Sequence, residues 1–308
     1  MKISVASANF FNLGRDSDDE IKAGFKRMKA VGFEAVDIDF GSFCDRAGFI
    51  SGDVGDFFSA GEDEKAAKVS KIKAFADEAG IVFSQMHAPF PTYIKDNDSA
   101  NSRLHSAIVD CIKACRVLGC PHVVVHPVFF QYDEKMEPDE EWDANIRFYS
   151  SFIDIAKENG VKICLENMFV NFKGHIIGAC CSDTYEAVGL IDELNETAGE
   201  NIFAFCLDIG HLNLIGKNIY NAILELSDCI EVLHIHDNYG VHDNHDVPYS
   251  GNIDWDAFIK GMRAIEYKGN LSFETGVKPI EKYPVPLRDR ALRFLAETGN
   301  YFREEILK

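Results

Sequence analysis

Six side chains that can bind a cation or carry a proton lie at or near the ends of successive apolar segments of the sequence. They are His87, His126, Glu166, Asp208, His234 and Glu274. A group of carboxylates and imidazoles at close range is tolerable only if divalent cations neutralise the charge or if some of the groups are protonated. A bound metal is the simpler of these solutions, so the residue types predict a metal site.

Two short motifs add candidates to this group. CLDIGHLN places Asp208 and His211 three residues apart, and HDNHDVPYSGNIDW places Asp243 and His245 two residues apart in a loop. Such a pair alone is weak evidence, because an isolated Asp or His in a polar loop is more often solvated or caps a helix. Together with the strand-end residues, the pairs indicate one shared site.

The segments that must position these residues repeat one pattern. Short β-branched or aromatic runs, each followed by a segment of helical period, occupy residues 2–8, 35–40, 81–87, 122–126, 161–166, 202–208, 230–236 and 270–275. Apolar strands that alternate with helices predict a parallel sheet covered by helices, and eight units close naturally into a barrel. A doubly wound open sheet is the alternative, but its Gly-rich phosphate turn after the first strand is missing.

No linker or low-complexity tract interrupts the pattern, so we predict a single-domain (β/α)8 TIM barrel over residues 1–308. In such a barrel the carboxyl ends of the strands converge on one mouth, where active sites lie. His236 follows His234 by two residues, and the period of a strand points both to the same side. Either histidine could therefore be the ligand from the seventh strand.

Composition excludes several classes of function. The net charge of −19 and the lack of a basic stripe argue against a nucleic-acid partner. We find neither a signal-peptide pattern nor an apolar run of membrane-spanning length. The nine cysteines are scattered without a CxxC pair, and even Cys111 and Cys115, one helical turn apart, are more simply core residues than ligands. We therefore expect a cytoplasmic protein with reduced thiols.

The motifs together resemble the xylose-isomerase-like barrel superfamily, which contains sugar and sugar-phosphate isomerases and epimerases and the endonuclease IV type of apurinic-site nuclease. The resemblance spans essentially the whole chain, through MHAP, VVVHP, CLEN, CLDIGH, LHIHDN, DNHDVPYSGNIDW and LSFET. In the isomerase branch, it implies one divalent ion (Mn2+, Co2+, Mg2+ or Zn2+) on Glu166, Asp208, His234 and Glu274. The nuclease branch is similar but adds His87, His126, His211, Asp243 and His245, which implies a trinuclear zinc cluster. The family spacing to Asp237 favours His234 over His236.

Three functions follow from this resemblance. The first is a metal-dependent isomerase or epimerase of a small sugar, sugar phosphate or related hydroxyketone, with Glu166 and Glu274 removing and returning a proton. The second is a multinuclear-zinc phosphodiesterase of the endonuclease IV type, which the negative charge disfavours. The third, from a non-catalytic class, is a ligand-binding barrel that has lost turnover, against which the intact carboxylate pair argues.

Two positions depart from the pattern of free-ketose 3-epimerases. Gly240 occupies the place of an Arg, and Phe172 the place of a substrate-binding Glu. A ketose 3-epimerase is therefore not the expectation. Loops 41–60, 88–98, 128–140 and 167–182 are expected to set selectivity, since barrels change specificity through loops. Association into a homo-oligomer is compatible with this class of barrel.

Overall fold

Eight parallel strands form one sheet in the computed structural model, which describes residues 1–130 and 134–308. The order around the sheet is β10-β1-β2-β3-β4-β5-β8-β9. The strands are β1 (Ile3–Ala6), β2 (Ala35–Asp39), β3 (Val82–His87), β4 (His122–Val124), β5 (Lys162–Glu166), β8 (Phe203–Asp208), β9 (Ile230–His234) and β10 (Leu271–Phe273). Just beyond β9, Ile235 forms a parallel bridge with Phe273, and this bridge closes the sheet into a barrel.

Helices cover the outside of this barrel. They are α1 (Asp18–Val31), α2 (Arg46–Ser51), α3 (Gly55–Ser59), α4 (Glu62–Ala79), α5 (Asp98–Leu118), α6 (Pro138–Ser150), α7 (Ile153–Asn159), α8 (Thr184–Ala198), α9 (Ile209–Leu214), α10 (Ile219–Leu226), α11 (Trp255–Ala264), α12 (Val277–Glu281) and α13 (Val285–Ile306). Short 3-10 turns cover Ser7–Asn9, Gly41–Phe43 and Ser227–Cys229. None of the helices in the described part is long and apolar enough to cross a membrane.

Helix α1 illustrates how the sequence fixes these elements. Ser17 and Glu20 form a reciprocal capping box at its start, which satisfies backbone N–H groups that have no partner inside the helix. Ile21, Phe25 and Met28 recur with helical spacing and are buried against the barrel. The apolar face of the helix and the strands it covers therefore share one core.

The predicted (β/α)8 barrel is confirmed, and each predicted strand lies within two residues of its observed bounds at either end. The segment of helical period between the fourth and fifth predicted strands forms two helices, α6 and α7, which meet at Ser151 and Phe152. The predicted loop 167–182 contains an antiparallel hairpin, β6 (Phe169–Phe172) and β7 (His175–Gly178). Residues 131–133 of the predicted loop 128–140 lie outside the described residues. The single-domain organisation stays a prediction.

Candidate metal centre

All nine predicted ligand positions belong to the carboxyl-end side of the barrel strands or to the loops that follow them. His87, Glu166, Asp208 and His234 are the last residues of β3, β5, β8 and β9. The other positions are the loop residues His126 after β4, Asp243 and His245 after β9 and Glu274 after β10, together with His211 in α9. The parallel strands thus bring residues that are far apart in sequence to one mouth, as expected.

Glu166 lies at the centre of one group of imidazoles. Its Oε2 is 2.9 Å from His126 Nε2, and its Oε1 is 3.2 Å from His234 Nδ1. The same Oε1 is 3.5 Å from His211 Nδ1. The ring of His87 stands edge-on to that of His126, with centroids 4.7 Å apart. A carboxylate that is only 1% exposed therefore faces several nitrogen ligands.

A second group lies toward the loop after β9. Asp208 Oδ2 is 3.0 Å from His236 Nε2, and Asp243 Oδ2 is 2.8 Å from His245 Nε2. His211 Nε2 lies between these carboxylates, at 3.8 Å from Asp208 and 3.7 Å from Asp243. The rings of His236 and His245 stack with centroids 4.1 Å apart. His236, which the family spacing had placed second, is thus brought among the predicted ligands.

Glu274 joins the two groups. Its Oε2 is 3.5 Å from His234 Nδ1 and 3.6 Å from His245 Nδ1. Glu274 and Glu166 therefore flank the same imidazole nitrogen of His234. The side chain of Glu274 is 22% exposed and lines a cavity at the mouth, so it can reach a small molecule there.

The donor set fits divalent ions. Several buried atoms have no hydrogen-bond partner within the described chain, although buried polar atoms normally have one. They are His126 Nδ1, Glu166 Oε2, His234 Nδ1 and Nε2, His236 Nδ1 and Asp243 Oδ1. Ligand atoms lie within 4.8 Å of one another in groups such as His87–His126–Glu166, Asp208–His211–His236 and His236–His245–Glu274. Mixed imidazole and carboxylate ligands suit zinc and manganese.

Electrostatics couples these groups strongly. Burial opposes ionisation of Glu166, but His234 and His126 hold the pKa of its carboxyl well below the usual range. Burial alone would lower the pKa of His211, yet Asp208 and Asp243 raise it to about 10. The carboxylates likewise raise the pKa of His234 against the effect of burial, whereas burial lowers the pKa of His126. Metal binding would displace the imidazole protons, which makes affinity depend on pH.

Two buried asparagines, Asn167 and Asn238, fix the loops around these ligands. The Asn167 side chain accepts a hydrogen bond from the Asp208 backbone N–H and donates one to its carbonyl, both at 2.8 Å. Asn238 donates from Nδ2 to the carbonyl of Gly210 at 2.9 Å. Gly210 is required by close packing, since an added Cβ would lie 2.0 Å from His236 Cε1. These contacts hold α9 tightly over the ring of His236.

Sequence analysis missed a buried polar layer beneath the mouth. Asp37 Oδ2 is 3.2 Å from His234 Nε2 and accepts a hydrogen bond from Gln85 Nε2 at 3.0 Å. All three side chains are almost completely buried. The available signal was the pair of acids, Asp37 and Asp39, inside the predicted strand AVDIDF, because an unpaired buried charge is costly. Asp37 thus places a negative charge beside His234 Nε2, while the other ring nitrogen, Nδ1, faces Glu166.

The departures from the ketose 3-epimerase pattern have local explanations. Gly240 adopts φ 76°, a left-handed conformation in which an Arg would be strained. Phe172 ends β6 in the hairpin, where Lys173 lies over its ring. Two of the other histidines lie away from the mouth: His105 contacts Ser151 on the helical layer, and His122 pairs with Glu231 at the opposite end of the barrel.

Comparisons with known proteins agree with this architecture. Residues 25–298 match the family model described as xylose isomerase-like TIM barrel. An uncharacterized protein of Methanocaldococcus jannaschii is 31% identical over 195 residues, or 61% of this chain and 63% of that relative. The match therefore spans less than two thirds of that relative's length.

Solved structures share the fold at lower identity. An L-ribulose 3-epimerase has a TM-score of 0.72 at 17% identity, with 99% of this chain and 94% of that chain covered. A 3-keto-D-glucoside 4-epimerase from E. coli has a TM-score of 0.69 at 18% identity, with 96% and 98% covered. At these identities the likeness shows the fold alone.

Proposed function

Because the chain belongs to the family of xylose isomerase-like TIM barrels, we propose that it is a divalent-metal-dependent isomerase or epimerase of a carbohydrate. The observation that carries this proposal is the placement of Glu166 and Glu274. Both carboxylates lie within 3.5 Å of His234 Nδ1 and line the same cavity. Two carboxylates beside one small-molecule cavity can remove a proton from a substrate carbon and return it.

The proposed ligands of the ion are Glu166, Asp208, Glu274 and a histidine of the seventh strand. His234 and His236 both fit, since each has an imidazole nitrogen within 4 Å of Asp208 Oδ2. A bound Zn2+ or Mn2+ would act as a Lewis acid toward the carbonyl and adjacent hydroxyl of the sugar. The structural neighbours named as sugar epimerases support the reaction class.

Side chains of the protein are proposed to transfer the proton and to bind the substrate. Glu274, the more exposed of the two acids, is proposed to approach the substrate carbon from the cavity, and Glu166 to act from the buried side. Removal of the proton next to the carbonyl gives an enediolate, and return of the proton to either carbon or either face completes isomerisation or epimerisation. His211 lines the cavity and is proposed to hold a substrate oxygen or a second ion.

Deuterium exchange tests this proposal directly. Metal-loaded protein in D2O should place deuterium on the carbon next to the carbonyl of a turned-over sugar. Glu166→Gln and Glu274→Gln should each slow that exchange by roughly 10²- to 10⁴-fold, the usual contribution of a general base. Exchange at the wild-type rate in both variants would remove these residues from the mechanism.

A second candidate is a multinuclear-zinc phosphodiesterase of the endonuclease IV type. It is favoured by the extra group formed by His211, Asp243 and His245, which exceeds what one ion requires. It is disfavoured by the net charge of −19, since a nucleic-acid backbone is held by cations. Elemental analysis separates the two: one ion per chain favours the sugar enzyme, and two or three zinc ions with cleavage of an abasic-site duplex favour the nuclease.

A further inference from the structure

The outer face of α13, the last helix, exposes large apolar side chains. Leu292, Leu295 and Phe302 on its inner face are completely buried against the barrel. Phe294 and Tyr301 lie on the outer face and are 58% and 45% exposed. Further exposed apolar side chains lie just before this helix, along it and at its end: Val285, Leu287, Tyr283 and Leu307. Because soluble chains rarely expose apolar side chains so close together, such a surface indicates an interaction site.

The outer face has the spacing of a helix–helix contact. Leu287, Phe294 and Tyr301 recur every seven residues, and a helix drifts by only about 20° over that interval. A charged residue follows each of them after three residues; these are Arg290, Glu297 and Glu304. Alternating intervals of three and four residues form the seam along which two helices pack. We call these six residues the α13 stripe.

The charges of the α13 stripe are divided along the helix. Arg290 lies in the amino-terminal half of α13, and Glu297 and Glu304 lie in its carboxyl-terminal half. A neighbouring charge is paired within the chain, since Arg303 lies 2.7 Å from Glu34. Among the described residues, Arg290, Glu297 and Glu304 have no such partner, and all three are exposed. They can therefore pair with another molecule.

Two antiparallel copies of α13 would satisfy these charges. With the crossing point between Phe294 and Glu297, Arg290 of one copy lies opposite Tyr301 of the other. Glu297 and Glu304 of that second copy lie one helical turn to either side of the same tyrosine. A guanidinium stacks on an aromatic ring and pairs with carboxylates. By symmetry the same contacts form twice, and no two like charges of the stripe stand directly opposite each other.

A groove beside the α13 stripe continues this surface toward the loop after β9. It has a volume of about 400 Å³ and is lined by Tyr249, Phe294, Glu297, Thr298 and Tyr301. Tyr249 belongs to the loop that carries Asp243 and His245, and its φ of 71° is a left-handed conformation that is costly for a tyrosine. Its side chain is nevertheless 55% exposed. A second helix on the stripe would therefore cover Tyr249 as well and pack against that loop.

We propose that the α13 stripe is the twofold interface of a homodimer, in which α13 of one copy packs antiparallel on α13 of the other. Helix α13 has 22 residues and is about 33 Å long, which is sufficient to cross a standard interface of about 800 Å² per partner. The net charge of −19 repels two copies at a distance, but salt screens exposed charges beyond about 8 Å. Burial of Phe294 and Tyr301 supplies affinity, and the charges set the antiparallel direction. This interface is independent of the reaction proposed above.

Sedimentation equilibrium of the full chain tests this interface. At micromolar concentrations the wild type should contain a species of twice the chain mass of 34.5 kDa. Phe294→Ser should raise the dissociation constant of the dimer by about 30-fold or more, since aromatic side chains at the centre of an interface contribute most of the binding energy. Tyr185→Ser is the matched control, because Tyr185 is 75% exposed on α8, which packs between α6 and α10. It should leave the dissociation constant unchanged.

Exchange of the charges tests the antiparallel arrangement. Arg290→Glu makes the charged positions of the stripe all acidic, and the double variant Glu297→Arg with Glu304→Arg makes them all basic. Each variant alone should raise the dissociation constant of the dimer by about tenfold or more, because like charges then meet. An equimolar mixture of the two should restore dimerisation, since an acidic stripe then faces a basic one. Glu196→Arg, a change at an exposed position of α8, should have no effect.

Three results would overturn this interface. A wild type that sediments as a single chain at the highest concentration would exclude the homodimer. A dimer of Phe294→Ser as stable as that of the wild type would place the contact on another surface. Failure of the mixed charge variants to associate, when circular dichroism shows both to be folded, would exclude the antiparallel pairing of the two helices.

Discussion

The substitution Asp37→Asn tests whether the buried layer under the mouth controls metal binding. His234 is completely buried, and its Nε2 has Asp37 Oδ2 as its nearest carboxylate, at 3.2 Å. Asp37 is itself held by Gln85 at 3.0 Å. The negative charge of Asp37 beside Nε2 favours the tautomer that is protonated at that nitrogen, so that Nδ1 carries the lone pair toward Glu166. The change keeps the shape of the side chain and removes its charge.

The expected effect is on metal affinity rather than on folding. Loss of such an orienting carboxylate typically weakens metal binding 10- to 100-fold, which corresponds to about 1.4 to 2.8 kcal/mol. We would measure the dissociation constant of Zn2+ by competition with a chromophoric chelator. The visible spectrum of bound Co2+ should also change in Asp37→Asn and recover in part in Asp37→Glu, which a purely structural role would not produce.

Asp110→Asn is the matched control, because Asp110 is a buried carboxylate on α5 that pairs with Lys65 at 2.7 Å, away from the mouth. It should alter stability without altering the dissociation constant of the metal. If Asp37→Asn folds and binds Zn2+ as tightly as the wild type, then His234 is positioned without Asp37, or it is not a ligand.

Three further predictions concern stability and packing. Burial opposes ionisation of Glu231, but hydrogen bonds from His122 and Lys162 lower its pKa from 4.5 to about 2. Because this pKa is lower in the folded chain than in the unfolded one, the ionised carboxylate stabilises the fold above pH 4.5, and the stabilisation is lost as the pH falls toward 2. Glu231→Gln should therefore cost about 1 to 2 kcal/mol at neutral pH, after allowance for solvent screening of this partly exposed group, and less at pH 3, as measured by urea unfolding. Removing metal with a chelator should lower the melting temperature by roughly 5 °C or more, and added Zn2+ or Mn2+ should restore it. The reason is that a ligand present at 100 times its dissociation constant stabilises the folded state by about 2.7 kcal/mol. An unchanged melting curve of the metal-stripped protein would count against a resident ion. Gly210→Ala should displace His236 and weaken Zn2+ binding by about tenfold or more in the same competition assay, with a normal far-UV spectrum.

Much of the fold could be predicted because each barrel strand is short, apolar and followed by a helical period. The residues that end those strands converge by topology alone, so Glu166, Asp208 and Glu274 could be placed at one site without any knowledge of side-chain geometry. The β6–β7 hairpin could not be predicted in this way. Its segment FVNFKGHIIG lies outside the eight repeated strand–helix units, although aromatic and β-branched runs on either side of Lys-Gly are typical of a hairpin.

Asp37 and Gln85 escaped sequence analysis for a different reason. A polar residue inside an apolar strand is visible in the sequence, but its partner lies on another strand at a register that only the closed barrel defines. A cavity lined by Asp39, Asp45 and Glu274 was missed likewise, because the two aspartates come from the second strand–helix unit and meet Glu274 of the eighth only in space. The sequence shows which residue types are present, but it does not show which side chains of different strands lie within contact distance.

The choice between His234 and His236 turns on this same geometry. Period two gives both rings one orientation, but successive inward residues of a tilted barrel strand occupy different depths. His234 contacts Asp37 on one side and Glu166 on the other, so it connects the barrel interior to the ligands. His236 lies near Asp208 and Asp243, the two candidate ligands of the group toward the loop after β9.

The two histidines therefore need not bind the same ion: His234 suits the position beside Glu166 and Glu274, and His236 suits a neighbouring one. His234→Gln and His236→Gln should accordingly remove different fractions of the bound metal in elemental analysis. Equal and complete loss of metal in both variants would instead mean that the two rings serve a single ion.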